Sequence, residues 1–261
     1  MITDTSVFLG AWPFRFFPWE GTRAIQTRLA RNKITVAWVS LFEGIFHKDL
    51  AAVNLKLAQE CAVANEGSAR PRLIPFGVIN PKSPDWREDL RRCVELHAMP
   101  GVRLFPGAHG YSLDDPELAA LLRAVADRNL FAQVVMKIED ERTQHPLVKL
   151  PAVELTALPG WVAKIPSLKL QILNMQAAVP DEIVLPLARS GRVWFDFAMV
   201  EGAAGVARFA DRVGTGQLLL GSYFPLFYPE SALLKLVEAD LSETDREAIH
   251  FAQANALVPS R

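Results

Sequence analysis

The residues best suited to chemistry in this sequence are histidines, arginines and carboxylates set just behind short apolar runs. His109 lies in PGAHGY, after GVRLFP, and Asp196 lies in VWFDF. A histidine can give or take a proton near neutral pH, and an aspartate can orient a water or hold an imidazole in one tautomer. These two are the candidate catalytic groups. Arg15, Arg103 and Arg142, together with His47, Tyr111 and Tyr223, are candidate substrate-binding residues. Arginine holds carboxylates and stabilises oxyanions through charge-assisted hydrogen bonds, so a small anionic substrate is expected. Each residue taken singly has a structural alternative. Arg15 and Arg103 could neutralise Asp4 and Asp196 in a buried network, and Tyr111 could pack its ring and bond a carbonyl. The aromatic group Trp12, Phe14, Phe16, Phe17 and Trp19 suits either a lid over a ligand or a contact between two copies in a homodimer.

Metal chemistry has a weaker footing. His47, His109 and His145 fall in loops, and three convergent imidazoles could make a zinc site. No two of them sit four residues apart on one helix, and loops behind different strands need not bring them together. His97 and His250 lie in helical segments and read as structural. No metal and no other cofactor is expected.

The elements that must position these residues alternate along the chain. Strand-like runs are read at 6–9, 34–42, 72–79 (interrupted by Pro75), 101–106, 130–136, 168–173, 193–197 and 217–222. Helical patterns are read at 22–32, 47–66, 83–97, 114–129, 180–191, 202–214 and 242–258. Ser83 with Pro84, Asp with Pro116, and Ser242 with Asp245 give start signals. Strands apolar on both faces, alternating with amphipathic helices, predict an α/β fold, a (β/α)8 TIM barrel forming a single domain over residues 1–261. An open doubly wound sheet is the alternative, but no GxGxxG follows a strand. In such barrels the chemistry gathers at the C-terminal strand ends, where each candidate above falls.

Bulk properties exclude several classes. The net charge is -1 and no basic stripe exists, so nucleic acid has no electrostatic footprint. No apolar run approaches the ~20 residues that span a bilayer, so no membrane partner is expected. The start has no cationic leader pattern, and two cysteines outside any CxxC suit a reduced compartment. A cytoplasmic protein with a small-molecule substrate is the expectation.

Several motifs in this order carry a resemblance. They are Asp4 to Arg15 as D-x-x-x-x-x-G-x-W-P-F-R, GVRLFP before a tyrosine loop, WFDFAMVEG, LLLGSYFP, and a closing helix with Asn255-Ala256. Together the chain resembles the amidohydrolase superfamily, in its amidohydrolase-2 branch of TIM-barrel hydrolases and decarboxylases. That resemblance implies a divalent metal held by D-x-H-x-H on the first strand, histidines ending strands five and six, and an aspartate ending strand eight. Here the matching positions are Asp4, Ser6 and Phe8, then Gln133, Asn174 and Tyr223. A phenyl ring cannot bind a metal, and serine or amide oxygens are poor substitutes. The superfamily includes metal-independent lactonases, so the resemblance implies a hydrolase, lactonase or decarboxylase-type lyase without a divalent metal. The alternatives are an inactive relative serving as a ligand-binding or assembly subunit, and a metal hydrolase with relocated ligands.

Overall fold

The computed structural model describes residues 1–19, 21–67, 71–140, 142–176 and 178–259. Among these, the strands are β1 (Thr3–Leu9), β2 (Val36–Leu41), β3 (Arg72–Val78), β4 (Gly101–Leu104), β5 (Phe131–Val135), β6 (Lys169–Leu173) and β7 (Val193–Phe195). All neighbouring pairs are parallel, and the order around the sheet is the order in sequence. Pro75 does not interrupt β3; it continues the strand opposite Val39.

The predicted eighth strand at 217–222 is not a regular ladder. Residues 215–217 form a 3-10 turn, and the chain from Leu218 to Phe224 bonds to both β7 and β1 at separate points. Leu219 N donates to Phe195 O (2.9 Å), Thr5 N to Leu220 O (2.9 Å), and Phe8 N to Phe224 O (2.8 Å). Side chains take three further backbone donors. Ser222 N goes to Asp4 Oδ1, Tyr223 N to Ser6 Oγ, and Phe224 N to Ser222 Oγ. A serine–aspartate clasp therefore replaces the ladder at this edge.

Helices cover the outside of the sheet. Leu50–Ala64 is fixed to β3 by Asn54, whose side chain donates to Val78 O and accepts from Val78 N. Pro116–Asp127 is capped by Asp115, and its Leu118, Leu121, Leu122 and Val125 are buried as one apolar face. The helix predicted from Ser83 begins later, at Trp86–Glu95, with Asp85 in the cap position. The closing helix is capped by Ser242 as expected, and a π-helical segment, Ala248–Ala252, interrupts it.

Inward-facing side chains form three layers. Trp38, Phe76, Phe131 and Leu219 fill the N-terminal end. Thr5, Arg103, Gln133 and Gln171 make a polar middle layer. Phe8, Phe42, Phe105, Val135, Leu173 and Tyr223 close the C-terminal end. No described helix is long and apolar enough to cross a membrane.

Candidate active site

β4 and β5 supply the middle layer. Arg103 Nε donates to Gln133 Oε1 (2.8 Å), and its terminal nitrogens reach Val7 O, Thr5 O and Trp38 O. Gln133 in turn donates to Thr5 O and Gln171 Oε1, and Gln171 to Thr5 Oγ1. Burial lowers the Arg103 pKa to about 10, so the guanidinium stays charged at neutral pH. Its charge lies 5.0 Å from the Phe8 ring centre. Arg103 was expected to hold a substrate carboxylate. Its side chain instead spends four N–H groups on the protein and is fully buried. It staples strands together below the mouth.

Above it, Phe8 stacks on Phe42 (4.6 Å, 4°) and meets Tyr223 edge-on (4.9 Å, 82°). Tyr223 is fully buried, with φ 59°, a conformation that costs a bulky residue energy. Asn174, at the end of β6, has φ 57° and is also fully buried. Asp196 follows β7 and accepts from Asn174 N (2.8 Å) through Oδ1. Its Oδ2 has no partner among the described residues, nor have Asn174 Oδ1 and the Tyr223 hydroxyl. The Tyr223 hydroxyl faces Asn174, an approach that falls short of a well-formed hydrogen bond. Burial pushes the Asp196 carboxyl up to about 7, against the pull of the Asn174 amide, Lys235 and Arg103. Burial likewise raises the Tyr223 phenol well above its usual range.

The other candidates lie elsewhere. His109 follows β4, away from Asp196 behind β7. Its Nε2 bonds Gly44 O (2.9 Å), and burial lowers its pKa. No hydrogen bond joins His109 to Asp196 among the described residues, so they are not a coupled pair. Tyr111 is buried beside His109, with its hydroxyl unpartnered and its pKa raised by burial. Arg15 does not neutralise Asp4 or Asp196; it pairs with Glu139 (2.7 Å), which lies just beyond β5. Arg142 is bound to Asp140 on the surface and is 80% exposed, outside the mouth. His47 is an exposed helix end, and His145 packs against Phe14. The three loop histidines are not brought together, which removes the relocated metal site. Among the described residues no three His, Cys, Asp or Glu group as metal ligands.

The metal position that the resemblance implies lacks donors too. Asp4 accepts from Ser222 N and Ser6 N through Oδ1, and from Ser222 Oγ through Oδ2. Ser6 Oγ accepts from Tyr223 N, and Gln133 is spent on Arg103, Thr5 and Gln171. Phe8 offers no lone pair, and one free carboxylate oxygen (Asp196 Oδ2) with an amide oxygen and a phenol is too weakly charged a set, so the residues present do not fit the metal.

Two further residues beside this cluster were not singled out in the sequence. Glu139 and Lys235 both act on this site electrostatically, and Lys235 also donates to Ala198 O (2.7 Å). Glu139 carried a signal in standing just past a strand end. Lys235, on a distant helix, carried none.

Parallel strands ringed by helices, with orphaned polar groups at the strand C-terminal ends, define an α/β scaffold of the kind that binds small ligands there. The chain belongs to the amidohydrolase family: the family described as "Amidohydrolase" matches residues 42–256. No curated protein sequence matches it. Among solved structures, 5-carboxyvanillate decarboxylase from Sphingomonas paucimobilis is similar with a TM-score of 0.76 at 14% identity, covering 98% of each chain. The 2,6-dihydroxybenzoate decarboxylase from Rhizobium gives 0.72 at 14% identity, again covering 98% of each chain. The 4-oxalomesaconate hydratase from Rhodopseudomonas palustris gives 0.70 at 12% identity, covering 99% of this chain and 96% of that one.

Proposed function

We propose that the chain is a single-domain amidohydrolase-family enzyme that hydrolyses or decarboxylates a small carboxylated substrate without a bound divalent metal. Its ring is taken as a (β/α)8 barrel closed through residues 218–224. The observation that carries this reading is the buried trio of Asp196 Oδ2, Asn174 Oδ1 and the Tyr223 hydroxyl, unpartnered at the ends of three successive barrel segments. Each such group costs on the order of 1–3 kcal/mol if left unsatisfied. Two of the three also sit on left-handed backbone. The three similar structures named above all bear the names of carboxylated compounds, which supports the substrate class.

In this reading Asp196 is the acid–base group, because a pKa of about 7 keeps both of its forms present near neutral pH. For decarboxylation, the bond to the leaving carboxylate breaks and its electron pair stays on carbon. The Asp196 proton is delivered to that carbon as carbon dioxide departs, and water restores the acid. For hydrolysis, the Asp196 carboxylate takes a proton from the water attacking the ester carbonyl and returns it to the leaving alkoxide oxygen as the ester C–O bond breaks. Tyr223 and Asn174 orient the substrate oxygens, while Arg103 below supplies a fixed positive charge.

The ring of Phe8, stacked on Phe42 and tilted against Phe105, favours a second reading, an inactive relative that binds a ligand or serves in an assembly. A panel of benzoates, hydroxybenzoates and small lactones separates the two by product analysis and calorimetry. The enzyme reading expects turnover that falls roughly 100-fold or more in Asp196→Asn while binding persists. Binding without turnover leaves the second reading. Neither binding nor turnover across the panel sinks both.

A further inference from the structure

The proposed site is shut. Asn174, Asp196 and Tyr223 are 0%, 1% and 0% exposed, so a ligand reaches them only if something moves. One segment lies across the mouth, residues 11–19. Trp12 packs on Phe42 (5.1 Å) and Phe46 (5.4 Å), Phe14 on His145 (5.6 Å), and Trp19 on Phe224 (5.0 Å). The segment thus touches the ends of β2, of the loop after β5 and of the closing edge.

Three features distinguish it from an ordinary packed loop. Glycines with left-handed backbone flank it, Gly10 (φ 82°) and Gly21 (φ 76°). A cleft of about 540 Å³, walled by Trp12, Phe16, Phe17, Trp19, Lys56 and Glu60, lies along it, so it is not packed on all sides. Phe16 is 76% exposed. Finally, one ion pair reaches from the segment to the far side of the mouth. Arg15 pairs with Glu139, whose side chain is only 5% exposed, and Glu139 is within electrostatic reach of the Tyr223 hydroxyl.

We propose that residues 11–19 form a strap hinged at Gly10 and Gly21 and latched by Arg15–Glu139, whose release admits ligand to the Asn174–Asp196–Tyr223 site. The inference rests on the site reading above. An anionic ligand has a direct way to open the latch, because its carboxylate competes with Glu139 for the Arg15 guanidinium. The strap then closes over the ligand with its aromatic underside, excluding water from the reacting groups.

Amide hydrogen exchange on the full chain, followed by peptide mass spectrometry, tests the strap without any ligand. Arg15→Met and Glu139→Gln should each speed exchange in residues 11–19 roughly ten-fold, with β1, β2 and β5 unchanged. Arg15→Lys, which keeps the charge pair, should stay within about three-fold of the wild type. Unchanged exchange of 11–19 in both latch-breaking variants overturns the strap, whatever the ligand assays show. So does a rise shared equally by the barrel strands, which reports global loosening. A ten-fold rise confined to 11–19 upholds the strap, even where the ligand panel gives no binding and the site reading fails separately.

Discussion

At the scale of single residues, function here turns on how burial treats a carboxyl group. Asp196 has an ordinary pKa of 3.8, which burial raises to about 7 in the folded chain. Between these values the folded state keeps a proton that the unfolded chain has released. The stability Asp196 contributes is therefore fully present below about 3.8, is lost as pH rises toward 7, and changes no further above that. Asp196→Asn removes this titration. The stability of the wild type relative to Asp196→Asn should fall between pH 4 and 7 by up to about 1.4 kcal/mol per pH unit. Denaturant melts of both proteins at half-unit intervals measure the difference, and parallel curves would show that Asp196 titrates normally. Asp196 was visible in the sequence, because an acidic residue ending an otherwise apolar strand stands out. Arg103 was misplaced for an equally physical reason. A strand-end arginine can point up to the mouth or down into the barrel, and only the acceptors around it decide. Gln133, Gln171 and the carbonyls of Thr5, Val7 and Trp38 surround it below, and nothing in their spacing along the chain announces that they meet.

At the scale of elements, the alternation of strands and helices was legible because each strand carries its own run of apolar residues and each long helix its own face. The closing edge was not. LLLGS reads as a strand, but Asp4 and Ser6 on β1 capture the N–H groups of Ser222 and Tyr223 that a ladder would use. Gly221 lies inside this clasp. A Cβ there would stand 2.6 Å from Ser6 Oγ and 2.9 Å from Asp196 Cβ, both closer than packed atoms tolerate. Gly221→Ala should therefore push the edge away from β1 and β7 and cost about 1–3 kcal/mol, on the order of 5 °C in Tm. Gly160→Ala is the matching control, since it lies in the helix Leu158–Lys164 with nothing within 4 Å of the added Cβ. It should gain roughly 0.5–1 kcal/mol. Thermal melts of the two variants side by side check the clasp. Equal and small shifts would mean that the edge yields freely, and the polar trio would lose its rigid support.

At the scale of the whole molecule, the question is whether the residues present suit the divalent metal that the family resemblance implies. Losing one ligand would leave a weakened site, but here Asp4, Ser6 and Gln133 have other tasks, and the one carboxylate oxygen left free is Asp196 Oδ2, beside the Asn174 amide oxygen and the Tyr223 phenol. The Asp4 carboxylate holds the closing edge at Ser222, Ser6 Oγ accepts from Tyr223 N, and Gln133 holds Arg103. Arg103 also places a permanent positive charge in the interior, 5.0 Å from the ring of Phe8. A divalent cation brought near it would meet repulsion with few low-dielectric carboxylates to offset it. Adding zinc or manganese at tenfold molar excess should thus leave Tm unchanged within about 1 °C, because a ligand stabilises only the state it binds. Elemental analysis after growth in metal-supplemented medium should find less than about a tenth of an equivalent per chain. A stoichiometric metal that survives dialysis and raises Tm would overturn the donor argument, and it would require Asp4 to be released from Ser222 on binding. The same pair of measurements on Arg103→Met probes the reason behind the prediction. If positive charge alone excludes the metal, that variant should gain affinity. If the donors are what is lacking, it should lose stability and still bind none, which is the outcome the occupied side chains of Asp4, Ser6 and Gln133 lead us to expect.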